Sequence, residues 1–151
     1  MASLKKILKK KNYTNIPLTR MVTNHLELIA SINGVEGRFI LDTGASNSCV
    51  GLDSIALFQL DTEESETKAS GAGATNMETL QSKKNHLQVG DWQTEKCHLV
   101  LFNLVHVNKA LTEHDAKEVH GIIGADILGK GKGIIDYNKN ILYLKKVKKR
   151  N

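Results

Sequence analysis

Between His25 and Leu41 the apolar positions fall into two short runs, His25-Leu26-Glu27-Leu28-Ile29-Ala30-Ser31-Ile32 and Val35-Glu36-Gly37-Arg38-Phe39-Ile40-Leu41, separated by Asn33-Gly34. The first run partly alternates with period two, as a strand with one buried face requires. Asn-Gly is the strongest short hairpin signal, because both residues tolerate positive φ. The pattern predicts two antiparallel strands joined by a two-residue turn. Leu52, Ile55, Ala56, Leu57 and Leu60 lie close to helical spacing. Further along, His86-Leu87-Gln88-Val89, a Gly90-Asp91 turn and a strand pattern from Trp92 to Val107 predict a second long hairpin, with Trp92 half-buried in a structural role. Residues 111–118 read as a polar turn or short helix. His120-Gly121-Ile122-Ile123-Gly124 reads as a buried strand leading into a short helix through Leu128, which Gly129, Gly131 and Gly133 end. Gly133–Tyr137 and Ile141–Leu144 form a last hairpin about Asn138-Lys139-Asn140. Residues 12–23, with the single proline Pro17, show no clear period. Many short strands, closely spaced turns and one or two short helices predict a mainly β chain, a small closed β-barrel.

Length and composition narrow the class. At 151 residues and 40% hydrophobic content the chain suits one domain with one core. No apolar run approaches the ~20 residues of a membrane span, and the basic start lacks the apolar stretch of a secretory signal. Two cysteines, Cys49 and Cys97, are no disulfide framework; free thiols and a cytoplasmic location are the expectation. The six histidines show no His-x-x-x-His spacing and the cysteines no Cys-x-x-Cys, so neither a metal nor a cofactor is expected. The net charge of +5 conceals a division. Residues 1–11 carry five Lys and residues 145–150 five Lys or Arg, which leaves 11 basic against 16 acidic residues between them. Basic ends on an acidic body do not read as a specific nucleic-acid face. They read as solvated termini, with attraction to anionic lipid or RNA as the other reading, Leu4, Ile7 and Leu8 sharing one side of a short helix.

The chemistry concentrates where the second strand ends, at Asp42-Thr43-Gly44-Ala45-Ser46. A carboxylate at the end of a buried strand is costly to hold without partners, and this turn offers backbone N–H groups and a hydroxyl. By itself Asp-Thr-Gly also suits an ordinary Asx turn. The 120–128 element, about eighty residues later, changes that reading. In this order, across roughly residues 24–146, the two stretches resemble the retropepsin-like aspartic proteases, where such a loop and a later apolar-apolar-Gly element form the active-site floor. Residues 1–23 are then a basic extension and lead-in segment, and 147–151 a basic tail. Between them, Thr67–Ser82 is small and Gly-rich at its centre, without the Lys-Ser/Thr of a phosphate loop. By resemblance it is the flap, a hairpin that closes over an extended peptide.

The resemblance implies an aspartic endopeptidase with Asp42 as the catalytic carboxylate. Thr43 would lock two loops together and Gly44 shape the turn. Ala45, Ser46, Gly71, Ala72, Gly73, Ile122 and Ile123 would border a peptide or protein substrate. Peptide hydrolysis of this kind needs two carboxylates sharing a proton, and there is a single Asp-Thr-Gly, so a homodimer is expected, with the second Asp supplied by symmetry. Two departures stand out. Retroviral members commonly have Asp where Ser46 stands, so position 46 is nearer the cellular and bacterial pattern. Ala125-Asp126 replaces their Arg-Asn, so the dimer-tying ion pair cannot form in the same way. A dimeric peptide-binding domain that keeps the fold without cleaving is the alternative.

Overall fold

In chain order the computed structural model, which describes residues 3–64, 69–71, 74–77 and 79–147, runs α1 (Leu4–Lys10), β1 (Tyr13–Pro17), β2 (Thr19–Arg20), β3 (Leu26–Ile32), β4 (Val35–Leu41), β5 (Cys49–Gly51), a 3-10 turn (Leu52–Ser54), β6 (Glu63–Glu64), β7 (Ala69–Gly71), β8 (Ala74–Met77), β9 (Leu80–Val89), β10 (Trp92–Phe102), α2 (Val105–Glu113), β11 (Gly121–Ile123), α3 (Ala125–Lys130), β12 (Ile134–Asp136) and β13 (Ile141–Lys145). The architecture is mainly β, with a few short helices.

The Asn33-Gly34 turn joins β3 to β4 in full antiparallel register, from Leu26↔Leu41 to Ile32↔Val35, and both turn residues have positive φ. Asn33 does more than turn. Its side chain donates to the Phe58 carbonyl (2.9 Å) and to Asn85 Oδ1 (3.0 Å), and accepts from His86 N (3.0 Å). The hairpin tip is thereby tied to β9, and β3 pairs with β9 at Ser31↔Gln88 and Ile32↔Leu87. That pairing closes six strands, β3-β4-β11-β5-β10-β9, into a barrel. Its interior is filled by side chains such as Leu28, Ile32, Phe39, Val50, Phe58 and Leu101. Trp92 is fully buried in this core rather than half-buried. A separate sheet, β1-β13-β12, brings the two ends of the chain side by side and adds Ile16, Leu142 and Leu144 to the same core.

Local pattern and fold part company in two places. The strand expected from Trp92 to Val107 stops at Phe102, and α2 follows at 105–113, starting upstream of the polar stretch read as a turn or short helix and running into it as far as Glu113. Val105-His106-Val107 imitates strand alternation, but Leu104, Val107 and Leu111 also fit a helical stripe. Asn103 decides between them: its Oδ1 accepts from Val105 N (2.8 Å) and starts the first turn. Leu111 then packs with Met21, Ile40 and Val119. At 52–60 only the 3-10 turn and tight bends form, with Gln59 at φ 55°. The described helices are therefore three, against the one or two expected.

Candidate active site

β4 and β11 lie side by side and parallel, Ile40 opposite Ile122 and Leu41 opposite Ile123. The pairing continues one residue further: Asp42 N donates to the Ile123 carbonyl (2.9 Å). There the chain turns. Gly44 N donates to Asp42 Oδ1 (2.9 Å) and Ala45 N to the Asp42 carbonyl (3.2 Å), so the carboxylate is oriented by its own loop.

The other end of the loop is held by β11 and α3. Ala125 N donates to the Ala45 carbonyl (2.7 Å). A Cβ at Gly124 would come within 2.5 Å of that same oxygen, so this approach needs glycine. Ser48, fully buried, donates through Oγ to Asp126 Oδ1 (2.8 Å) and accepts from Gly124 N (2.9 Å). Its own N–H donates to Asp126 Oδ2 (3.0 Å). Asp126, which occupies the place of the expected arginine-asparagine pair, thus fastens the loop within one chain. Spacing alone gave no sign of this pairing, because Ser48 and Asp126 are 78 residues apart.

Asp42, Thr43 and Gly44 are exposed in the single chain, with Ser46 exposed and Ala45 half-buried beside them. The strand before it is buried, but the carboxylate itself is exposed where β4 ends. Ile122 is half-buried and packs toward Ile40 and α2. Ile123 does not border the site: strand alternation turns it into the barrel core, where it is 1% exposed. Gly71 ends β7 and pairs with Ala74 of β8, the antiparallel hairpin expected there. Ala72 and Gly73 lie outside the described residues.

Two recesses share His25, and the smaller of them is lined by the loop. The smaller, about 210 Å³, is walled by Asp42 and Thr43 on one side and by Ile135 and Tyr137 on the other. The larger, about 770 Å³, lies between α2 and the 22–25 segment, with Val22, Ile40, Val107 and Leu111 as apolar walls and His106 and His114 alongside. His25 is fixed by a bond between Nδ1 and Thr23 Oγ1 (2.6 Å). Neither α2 nor the Ile135–Tyr137 wall was visible in the sequence as part of the site. Cys49, at the start of β5 beneath the loop, is buried, which pushes its thiol up to about 12; the nearby Asp126 and Asp42 carboxylates act in the same direction. It is a small apolar core residue rather than a nucleophile.

A barrel of this topology, with an Asp-Thr-Gly loop crossing an Ile-Ile-Gly element, defines the retropepsin-like class. The model of the aspartyl protease family matches residues 28–127, and the chain belongs to that family. Among solved structures, a retropepsin-like aspartic protease from Rickettsia conorii superposes with TM-score 0.57 at 18% identity, over 87% of this chain and 89% of that one. The retroviral protease-like domain of Ddi1 from Leishmania major gives 0.56 at 16%, covering 82% and 90%. The EIAV protease, complexed with the inhibitor HBY-793, gives 0.50 at 20%, covering 76% and 86%. Among curated proteins none matches the chain.

Proposed function

We propose that the protein is an aspartic endopeptidase that acts as a homodimer, a water being activated between Asp42 and its symmetry mate. The observation that carries this reading is Asp42 itself: an exposed carboxylate, oriented by Gly44 N, on a loop that β11 and α3 hold rigidly. One chain offers one such group. A second copy facing it supplies the other, and two carboxylates at close range share a single proton. The ionised member takes a proton from water while the protonated member polarises the substrate carbonyl and then protonates it.

The edge of the second sheet supports the same arrangement. Among the described residues β12 pairs with β13 on one side only, and Ile135 and the exposed Tyr137 line the small recess together with Asp42 and Thr43. An open, partly apolar edge beside the loop invites strand pairing with a second copy. The β7–β8 hairpin acts as the flap, and the α2 recess takes a large apolar side chain of the peptide. The test is cleavage of a mixed peptide library by wild type and by Asp42→Asn, with the mass in solution measured for both. Cleavage lost in a variant that stays dimeric supports the proposal. A monomer that still cleaves, or a folded dimer that cleaves nothing from acid to neutral pH, refutes it.

A further inference from the structure

Residues 10–13, near the start of the chain, and 145–147, near its end, lie side by side. Asn12, at φ 68°, turns the chain from α1 into β1. Its Nδ2 donates to the Lys146 carbonyl (2.9 Å), and Lys146 N donates back to the Asn12 carbonyl (2.9 Å). The turn after α3 is tied to both: Lys145 N donates to the Gly131 carbonyl (2.7 Å) and Tyr13 OH to the Lys132 carbonyl (2.9 Å). Three distant segments therefore bring Lys10, Lys11, Lys130, Lys132, Lys145 and Lys146 around one recess of about 470 Å³. Among the described residues no acid lines this recess and none of these lysines makes an ion pair. Like charges gathered this way repel one another, and the fold assembles them through hydrogen bonds to their backbone.

Beside the lysines stand exposed apolar side chains. α1 docks through Leu8, which is buried, while Leu4 and Ile7 on the same side of the helix remain exposed at 43% and 42%. Lys6, Lys9 and Lys10 surround Ile7, and Val147 stands exposed at the far rim of the lysine recess. A nucleic-acid site would call for arginine forks and aromatic platforms. Here the cations are lysines, and the aromatic ring on this face, Tyr13, already has Lys145 Nζ over it at 6.0 Å. Lysines interleaved with apolar residues on a surface helix suit the anionic headgroups and shallow acyl region of a membrane leaflet.

We propose that this face docks on anionic lipid surfaces. The strand register places it at the Tyr13–Lys145 end of the second sheet. The Asp136–Ile141 end, next to the Asp42 recess, is the opposite one. A molecule resting on its lysine end therefore keeps the cleft clear of the membrane. The proposal stands whether or not the chain cleaves peptides.

The full chain is sedimented with vesicles of phosphatidylcholine alone and with vesicles containing roughly three parts in ten phosphatidylserine. Binding to the second kind only, reversed by salt, is expected. Each lysine neutralised should weaken it roughly fivefold, so Lys130→Glu with Lys132→Glu, both on the folded body, should reduce it by about 25-fold or more. Leu4→Ser with Ile7→Ser should weaken it several-fold at unchanged charge, with thermal melts confirming that the variants fold. No binding by wild type overturns the proposal, as does binding that survives the Lys130/Lys132 reversal, which would leave only the tails. RNA oligomers bound more tightly than the vesicles, with the Leu4/Ile7 variant indifferent, would reassign the face to nucleic acid.

Discussion

Removal of one hydroxyl, in Ser48→Ala, should loosen the loop that carries Asp42. Ser48 Oγ joins the Gly124 N–H to the Asp126 carboxylate, with bonds of 2.9 and 2.8 Å, at a position without solvent access. Alanine leaves the buried Gly124 N–H without that acceptor, which costs ~1–3 kcal/mol. The bond to Asp126 adds about 1 kcal/mol rather than the full charged-bond value, since that carboxylate is half-exposed and still accepts from Ser48 N and Ile127 N. The sum is ~2–4 kcal/mol, which for a chain of this length lowers Tm by roughly 5–15 °C. Asp126→Asn should cost less, ~1–2 kcal/mol, because an amide keeps one acceptor for the loop. Thermal melts of the two single variants and the double variant, at one protein concentration so that association does not distort the comparison, give the coupling. About 1 kcal/mol or more is expected for groups in direct contact. A Ser48→Ala melt within a degree or two of wild type, or strictly additive single effects, would show that this junction does not hold the loop.

Cys49 and Cys97 are both buried, with thiols pushed up to about 12 by desolvation. Near pH 8 only about one in ten thousand of either is thiolate, so iodoacetamide should label neither until the chain unfolds; rapid native labelling, read by mass spectrometry, would contradict their place in the core. The same shift sets the sign in alkali: the folded state holds these protons more tightly than the unfolded state, so their contribution to stability is complete below pH 9, the ordinary thiol value, and declines as pH rises toward about 12. In Ala110→Trp, an exposed α2 position on the larger recess, the indole should fill the space beside His25. The expected result is a loss of kcat/KM of about tenfold for peptides bearing a large apolar side chain and a smaller loss for peptides of small residues. An equal loss for all peptides would remove this recess from the substrate path.

What the sequence showed of this fold follows the range of the interactions. The β3–β4 hairpin was legible because its signals are local: alternation, and an Asn-Gly whose backbone angles only that turn uses. The Asp42 loop was legible as a turn after an apolar strand for a similar reason, but as a candidate site only together with the 120–128 element, about eighty residues later. A closed barrel was expected from the many short strands, but the contact that ties it shut was not, because it depends on Asn33 reaching Asn85 and His86, more than fifty residues away, with one side chain. The Val105–Val107 stretch was ambiguous in principle: three residues fit either period, and the choice fell to the bond from Val105 N to Asn103 Oδ1 and to Met21, Ile40 and Val119 packed with Leu111. The family resemblance implies both Ile122 and Ile123 at the site, whereas a strand sends neighbours to opposite faces, and Ile123 goes to the core.

The replacement of an arginine-asparagine pair by Ala125-Asp126 bears on how two copies would hold together. Asp126 is committed to Ser48 and Ile127 of its own chain, so it stiffens each loop without reaching outward. Association must then draw on what the single chain leaves open: the exposed Thr43-Gly44 turn, the free edge of β12, and Tyr137. Thr43, Ile135 and Tyr137 line one recess beside Asp42, and without an ion-pair clasp the proposed dimer would be held more weakly. The loop geometry is set within one chain, and in the proposed dimer association would have one task, which is to bring the second carboxylate opposite the first. Stability of the fold and assembly of the dyad become separable quantities. Substitutions at Ser48 or Asp126 should move the melting temperature at every protein concentration, while substitutions at Tyr137 should move only the concentration at which activity appears. A Tyr137→Ala variant whose activity, measured as a function of dilution, matches wild type would show that this recess is not where the two copies meet.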